Sequence, residues 1–347
     1  MLADAVIVAG GRGTRLAPLT DSVPKPLLPL VGVPFLVGMV RRLAQAGVER
    51  VLLVVGADPE PFDVVRSDAA SAGVHVEVVP EPEPLDTAGG VRSVVDRLDG
   101  PFLVLNGDVL TNLDLRDLVA HHYEHGAKAT LALIRVEDTS SYGVCVREGE
   151  RIVDFVEKPP PGSLPGQDAV NAGTYVLEPE TLAGFPEGPL SFERQVFPGL
   201  VGQGASVVGH ISNVVWADLG TRERYLEGHR LVLDRRVSWP TVVEGSESHL
   251  GVKTEVSDSA ILHEPVWIGA GSHIGDSTVI GPYAVVGAGC QIGEHARLVG
   301  TVLHDDVVIE RDAHLRETVV GAGARVRAGA ELPPCSLVGS RGEVTAG

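Results

Sequence analysis

From Leu250 onward an aliphatic residue returns at every sixth position: Leu250, Val256, Leu262, Ile268, Ile274, Ile280, Val286, Ile292 and Leu298. After a one-residue slip, Leu303, Ile309 and Leu315 keep the spacing, and after another, Val320, Val326 and Leu332. A period of six fits neither a helix nor an alternating strand over such a length. It fits a solenoid whose every turn carries three short parallel strands, each inward residue stacking on the one a full turn away. Glycine follows six of the first nine hexad residues. The expected core is a continuous aliphatic column, and such a module extends a protein or makes it oligomerise. Five histidines within it (His263, His273, His295, His304 and His314) bring acyl transfer to mind, but histidines on solenoid faces are ordinary.

The texture before residue 235 is different. Ala5–Ala9 is a short apolar run rich in β-branched residues, as a buried parallel strand would be. Gly10, Gly11 and Gly13 follow, with Arg12, Arg15 and Lys25 close by. Glycine lets another group approach the backbone, so a strand followed by this loop reads as a phosphate cradle. Neither familiar motif explains it: Leu16 stands where the last glycine of a dinucleotide fingerprint belongs, and no Gly-Lys-Ser/Thr follows. That also removes a nicotinamide-dependent oxidoreductase.

Further strands are expected over 51–55, 74–79 and 102–105, and helices over 35–43 and 87–98. This alternation implies a parallel α/β sheet with ligands at the carboxyl ends of its strands, where Asp108 falls. Residues 129–225 read as more mixed, with strands over 129–135, 144–146, 153–156 and 174–177. A helix is expected over 225–233. The chain-order division is a domain over 1–235, a linker over 236–249, the solenoid over 250–338 and a tail over 339–347.

Composition limits the partners. With 28 Lys and Arg against 46 Asp and Glu, the formal net charge is −18, which argues against a nucleic-acid backbone or an anionic membrane. Cys145, Cys290 and Cys335 are far apart and odd in number, which argues for a reducing compartment and against a zinc site. No signal-peptide pattern and no run of about 18 apolar residues occurs, so the expected location is the cytoplasm.

Five more stretches are too polar or too oddly placed to be packing. They are Pro84-Leu85-Asp86-Thr87-Ala88-Gly89-Gly90, Leu105-Asn106-Gly107-Asp108, Val156-Glu157-Lys158-Pro159, Asn171-Ala172-Gly173 and Trp216-Ala217-Asp218-Leu219-Gly220-Thr221. With the glycine loop and Pro24-Lys25-Pro26, they resemble the sugar-1-phosphate nucleotidyltransferases over roughly residues 3–235. Within that family the PL-x-TAG segment and the tail look most like mannose-1-phosphate guanylyltransferases.

The resemblance implies a Rossmann-like mixed sheet followed by a left-handed parallel β-helix of hexapeptide repeats. It implies that Gly10, Gly11, Gly13, Thr14 and Gly89 meet the nucleotide, and that Arg15 and Lys25 grip its phosphates. Glu157 would hold sugar hydroxyls, Lys158 the sugar phosphate, and Asn171 and Gly173 would line the sugar pocket. Asp108 and Asp218 would hold Mg²⁺. The implied substrates are an NTP, GTP first, and mannose-1-phosphate or a related sugar or cyclitol phosphate. A dTTP-, UTP- or ATP-dependent glucose-1-phosphate enzyme is the alternative, and a catalytically silent regulatory subunit another. A homo-oligomer formed through the β-helix is expected. Asp86 departs from the guanylyltransferase pattern, which often has glycine there; its carboxylate would touch base or sugar, or face water.

The expected chemistry needs no catalytic histidine. A sugar-phosphate oxygen, already anionic, attacks the α-phosphorus of the NTP and pyrophosphate leaves in line. Repulsion between two polyanions is the main obstacle, so cations carry the reaction.

Overall fold

The computed structural model describes residues 2–11, 13–242, 245 and 248–346. Arg12 lies outside the described residues, as do four residues of the expected linker (243, 244, 246 and 247) and the last residue of the tail. The chain forms two compact units: Met1–Gly11 with Met39–Trp216, and Arg12–Gly38 with Ala217–Gly347. These units cut across chain order, because the segment carrying Arg15 and Lys25 is counted with the solenoid.

The first unit holds a nine-stranded sheet. Its strands are β1 (Asp4–Ala9), β2 (Arg50–Val55), β3 (His75–Pro80), β4 (Phe102–Asn106), β5 (Ala129–Arg135), β6 (Gly143–Glu148), β7 (Arg151–Glu157), β8 (Ala169–Leu177) and β9 (Val207–Ile211). The spatial order is β3-β2-β1-β4-β8-β5-β9-β7-β6. β3, β2, β1 and β4 run parallel, and the unbroken apolar runs of β2 and β1 suit this: Val51–Val55 and Ala5–Ile7 are fully buried, while β3, at the edge of the sheet, carries Glu77. β8 enters antiparallel to both β4 and β5, which makes the sheet mixed. The register aligns Ala9 with Val55 and Val55 with Pro80, so Gly10, Gly56 and Glu81 leave the sheet at one edge.

Two local differences from the sequence reading have physical causes. The helix expected over 87–98 stops at Arg92 and resumes only as a 3₁₀ turn at Val95–Arg97. Ser93 is the C-cap, and its hydroxyl donates to the Gly90 carbonyl, a local bond that competes with helix continuation. Strand β9 carries Gly209 and His210 in a short stretch without alternation, so its sequence gave no signal.

In the second unit the hexads form three parallel sheets, two of six strands and one of five. Ile268, Ile274, Ile280, Val286, Ile292, Leu298, Leu303, Ile309, Leu315, Val320 and Val326 are all buried, as the aliphatic column requires. Leu250, at the first turn, is 51% exposed; among the described residues its strand pairs on one side only. His304 departs from the expected solvent-facing histidines: it is buried, and its Nε2 lies 3.2 Å from the Tyr225 hydroxyl.

The 13–38 segment is held to this unit by hydrogen bonds on its backbone carbonyls. Pro29 O accepts from Tyr225 Oη, Leu30 O from Trp239 Nε1 at 2.8 Å, and Val31 O from Thr241 Oγ1 at 2.5 Å. Gly32 abuts the Trp267 ring of the solenoid so closely that any Cβ would collide with it. Ser22 donates to Ser340 at 2.9 Å.

Candidate active site

At the edge of the parallel strands, Gly10 and Gly11 continue β1, and Gly107 and Asp108 continue β4. Gly107 N–H donates to Val8 O at 2.8 Å, and a Cβ there would meet that carbonyl at 2.9 Å. Glycine is therefore what lets the chain turn Asp108 out of β4 so tightly.

Glu81, which directly follows β3, is a residue the sequence reading missed. It is only 7% exposed, and Oε1 has no hydrogen-bond partner among the described residues. A Cβ on Gly10 would come within 2.9 Å of Oε2, and one on Gly90 would collide with Oε1. The carboxylate thus lies in a cradle of two glycines. Burial raises its pKa to about 7, partly offset by a backbone hydrogen bond from Leu85. Its signal was available: an acidic residue one step past a buried parallel strand stands where ligands bind in such sheets.

Gly89 has a packing duty. Its N–H donates to Leu190 O at 3.0 Å, and a Cβ would lie 2.5 Å from Gly188 O. Asp86 adopts φ +63°, the left-handed region that glycine enters freely. Its carboxylate pairs with Arg194 and accepts from Thr87 N–H at 2.8 Å, which tethers it to the 192–196 turn.

At the far side of the same unit, Glu157 ends β7. Its Oε2 is solvent-excluded and without a hydrogen-bond partner, while Oε1 is 3.5 Å from Lys158 Nζ. Lys158 is 65% exposed, so its ammonium is free to reorient. Asn171 and Gly173 form a break in register within β8. Asn171 Oδ1 accepts from Gly173 N–H at 2.9 Å, and Nδ2 donates to Tyr175 Oη at 2.7 Å. Gly173 has φ +71°, and a Cβ would lie 2.5 Å from Asn106 Nδ2.

The second unit brings the remaining cations around Asp218. Lys25 Nζ is 3.9 Å from Oδ1, with a side chain only 9% exposed, and Arg224 Nη1 is 2.9 Å from Oδ2. A Cβ on Gly220 would lie 2.6 Å from both Arg15 Nη2 and Asp218 Oδ1, so the Arg15 guanidinium reaches the same place. Asp218 Oδ1 is nevertheless solvent-excluded and accepts no hydrogen bond from the described residues. Gly13 has φ +63° and lies against the Lys25 stem, with Thr20 Oγ1 donating to its carbonyl at 3.1 Å. Thr14 and Arg15 form the 3₁₀ turn that follows. Arg224 was also missed. Its signal is two arginines, Arg222 and Arg224, in the first turn of helix Arg222–Leu233, where the helix dipole disfavours positive charge.

A hard carboxylate oxygen shielded from water and lacking a donor suits a divalent cation with oxygen ligands. Asp218 meets that test, and Asp108, at a strand's carboxyl end, is the same ligand type.

Comparison with known proteins gives a consistent result. Residues 4–235 match the nucleotidyl transferase family, and residues 246–347 match the EIF2B subunit epsilon LbH domain. Over 229 residues the chain is 41% identical to mannose-1-phosphate guanylyltransferase of Mycobacterium tuberculosis, covering 65% of this chain and 63% of that protein. It is 34% identical over 277 residues to probable mannose-1-phosphate guanylyltransferase 2 of Arabidopsis thaliana, covering 77% and 73%. The crystal structure of HddC from Yersinia pseudotuberculosis complexed with GMP-PN superposes with a TM-score of 0.57 at 25% identity, covering 67% of this chain and all of that one. Enzymes of this family generally use a divalent metal. With a glycine loop on a parallel strand, cations around an acidic centre and a family match over two thirds of its length, the chain belongs to the nucleotidyl transferases.

Proposed function

We propose that the chain joins a sugar-1-phosphate to GTP, releasing pyrophosphate and giving a GDP-sugar, with mannose-1-phosphate or a related sugar or cyclitol phosphate as the second substrate. The observation that carries the reading is the convergence of Lys25, Arg224 and the Arg15 tip on the solvent-excluded Asp218. Such a cluster offsets the charge of bound phosphates and of the leaving pyrophosphate. The names of the relatives support mannose and guanine.

In this reading Gly10, Gly11, Gly13 and Thr14 pass close to the nucleotide phosphates, and Arg15 and Lys25 neutralise them. Asp108 and Asp218 would hold Mg²⁺, which when bound supplies positive charge to the phosphate oxygens. Glu157 accepts from sugar hydroxyls and Lys158 swings onto the sugar phosphate. Asn171, Gly173 and Gly89 shape the walls through the hydrogen bonds and close approaches described above.

Glu81 supports guanine. An ionised carboxylate accepts two hydrogen bonds, and guanine presents N1–H and the N2 amino group side by side. Adenine, uracil and thymine lack that pair of adjacent donors. A site built around such a hydrogen bond rejects bases that cannot make it. Association through the β-helix is supported by Leu250, Val252 and Ile261, exposed at its first turns. No helix among the described residues is long and apolar enough to cross a membrane, which is compatible with a cytoplasmic location.

The test is pyrophosphate release from each NTP with Mg²⁺ and a panel of hexose-1-phosphates and cyclitol phosphates. Release with GTP alone supports the reading. Release with dTTP, UTP or ATP and glucose-1-phosphate replaces it, and no release with any pair points to a silent regulatory subunit.

A further inference from the structure

Helix Leu115–Glu124 ends in a cluster of histidines that the reaction does not use. His121 and His125 are one helical turn apart, with ring centroids separated by 4.2 Å. Glu150, in the turn between β6 and β7, places Oε2 2.5 Å from His125 Nε2. His210 of β9 packs against His121 with the rings tilted by 56° and their centroids 4.8 Å apart, and is itself 3.2 Å from Asp117. One ligand atom each from His121, His125 and Glu150 lie within 4.8 Å of one another.

The hydrogen bonding decides what this cluster accepts. His125 Nδ1 is 2.9 Å from the His121 carbonyl, which can only accept, so Nδ1 carries a proton. In the neutral ring the lone pair is then on Nε2, facing a carboxylate oxygen. At that distance the two acceptors share a proton, which a metal ion would have to displace. His121 adds a second nitrogen: its Nε2 is solvent-excluded and has no hydrogen-bond partner among the described residues. A backbone carbonyl holding Nδ1–H while Nε2 points at the ligand position is the usual outer support of a metal-binding histidine.

We propose that His121, His125 and Glu150 form a binding site for a divalent transition metal of the zinc type, separate from the Mg²⁺ carboxylates. Two imidazoles and one carboxylate suit Zn²⁺, which takes four ligands at about 2.0–2.2 Å, and they suit Mg²⁺ poorly. To take one ion at those distances, Glu150 Oε2 and His125 Nε2 would move apart, and water would supply the fourth ligand. The cysteine count argued against a zinc site, but these ligands are not cysteines. The bound ion would pin the end of helix Leu115–Glu124 to the β6–β7 turn, which Gly209 N–H already anchors through Glu150 O at 2.8 Å.

The experiment uses the full chain without a histidine tag, stripped with a chelator and dialysed against Zn²⁺ in excess Mg²⁺. One equivalent of zinc per chain is expected, with a raised melting temperature. His125→Ala and Glu150→Gln should each weaken zinc binding at least about tenfold, and both residues are exposed, so the metal-free melting temperature should stay as in the parent. Asp218→Asn should keep the zinc. No zinc uptake by the parent chain, parental affinity in His125→Ala and Glu150→Gln, or loss of zinc in Asp218→Asn alone would each overturn the proposal. Pyrophosphate release with Mg²⁺ reads the nucleotidyl-transfer proposal independently.

Discussion

Asp218 and Glu81 are both carboxylates with a solvent-excluded oxygen that lacks a hydrogen bond, and their surroundings differ in one respect. Asp218 has Arg224 and Lys25 within ion-pair distance and Arg15 beside it. Glu81 sits between Gly10 and Gly90 with no ion pair to its oxygens among the described residues, and burial moves its pKa to about 7. The difference teaches that cations let the first hold its negative charge for a metal and phosphates, while desolvation lets the second keep a proton until a ligand offers donors. One environment suits charge neutralisation in phosphoryl transfer, and the other suits recognition of a base.

The strongest way to break this contrast is to remove charge around Asp218. Asp218→Asn and Lys25→Ala should each lower kcat by about 10²–10³ with every nucleotide tried, by analogy with a lost transition-state donor. Steady-state pyrophosphate release checks this, and parental turnover in both variants removes Asp218 and Lys25 from the reaction.

The second test is linkage. Because the folded pKa of Glu81 exceeds its unfolded value, the folded chain binds the extra proton between about pH 4.5 and 7. This group's contribution to stability is therefore full at low pH and falls as pH rises through that window. The loss is up to roughly 3 kcal/mol, at about 1.4 kcal/mol per pH unit. Urea unfolding from pH 5 to pH 8 should show the decline in the parent and not in Glu81→Gln. Equal slopes would place the Glu81 carboxyl in water.

Glu81→Gln also sharpens the comparison at the level of substrate choice. It should lower kcat/KM for GTP about 10- to 100-fold, the value of one or two hydrogen bonds to a charged group, while changing ATP or UTP turnover little. A uniform loss with all nucleotides would make Glu81 structural. The smallest effect expected is for Asp86→Gly. Relief of the left-handed φ and loss of the Arg194 pair oppose each other, so stability should change by less than about 1 kcal/mol. A preserved GTP-over-UTP ratio in that variant would agree with the Asp86 carboxylate being tethered to Arg194.

Some of the site was readable before any coordinates. Gly10 and Gly11 follow an apolar strand, and Asp108 ends another, which is where parallel sheets bind ligands. Lys25, Asp218, Glu157 and Lys158 came from the order of motifs. Glu81 was not singled out, because Glu77, Glu81 and Glu83 look alike in a proline-rich run and only packing against Gly10 and Gly90 buries one of them. Asn171 was read as pocket lining; its amide also closes the β8 irregularity, a role visible only with Tyr175 and Gly173 in place.

What the amino-acid order determined by itself is the β-helix: each hexad specifies its own turn, and every turn needs only its neighbours to bury the column. It also determined the parallel strands β1, β2 and β4, whose runs are apolar without alternation. Tertiary structure decided that the loop bearing Lys25 is counted with the solenoid, through contacts such as Gly32 with Trp267 and Leu30 with Trp239. It also decided which glutamate loses its water and which histidines meet. Those outcomes depend on groups far apart in the chain whose desolvation and pairing exist only once the backbone has folded.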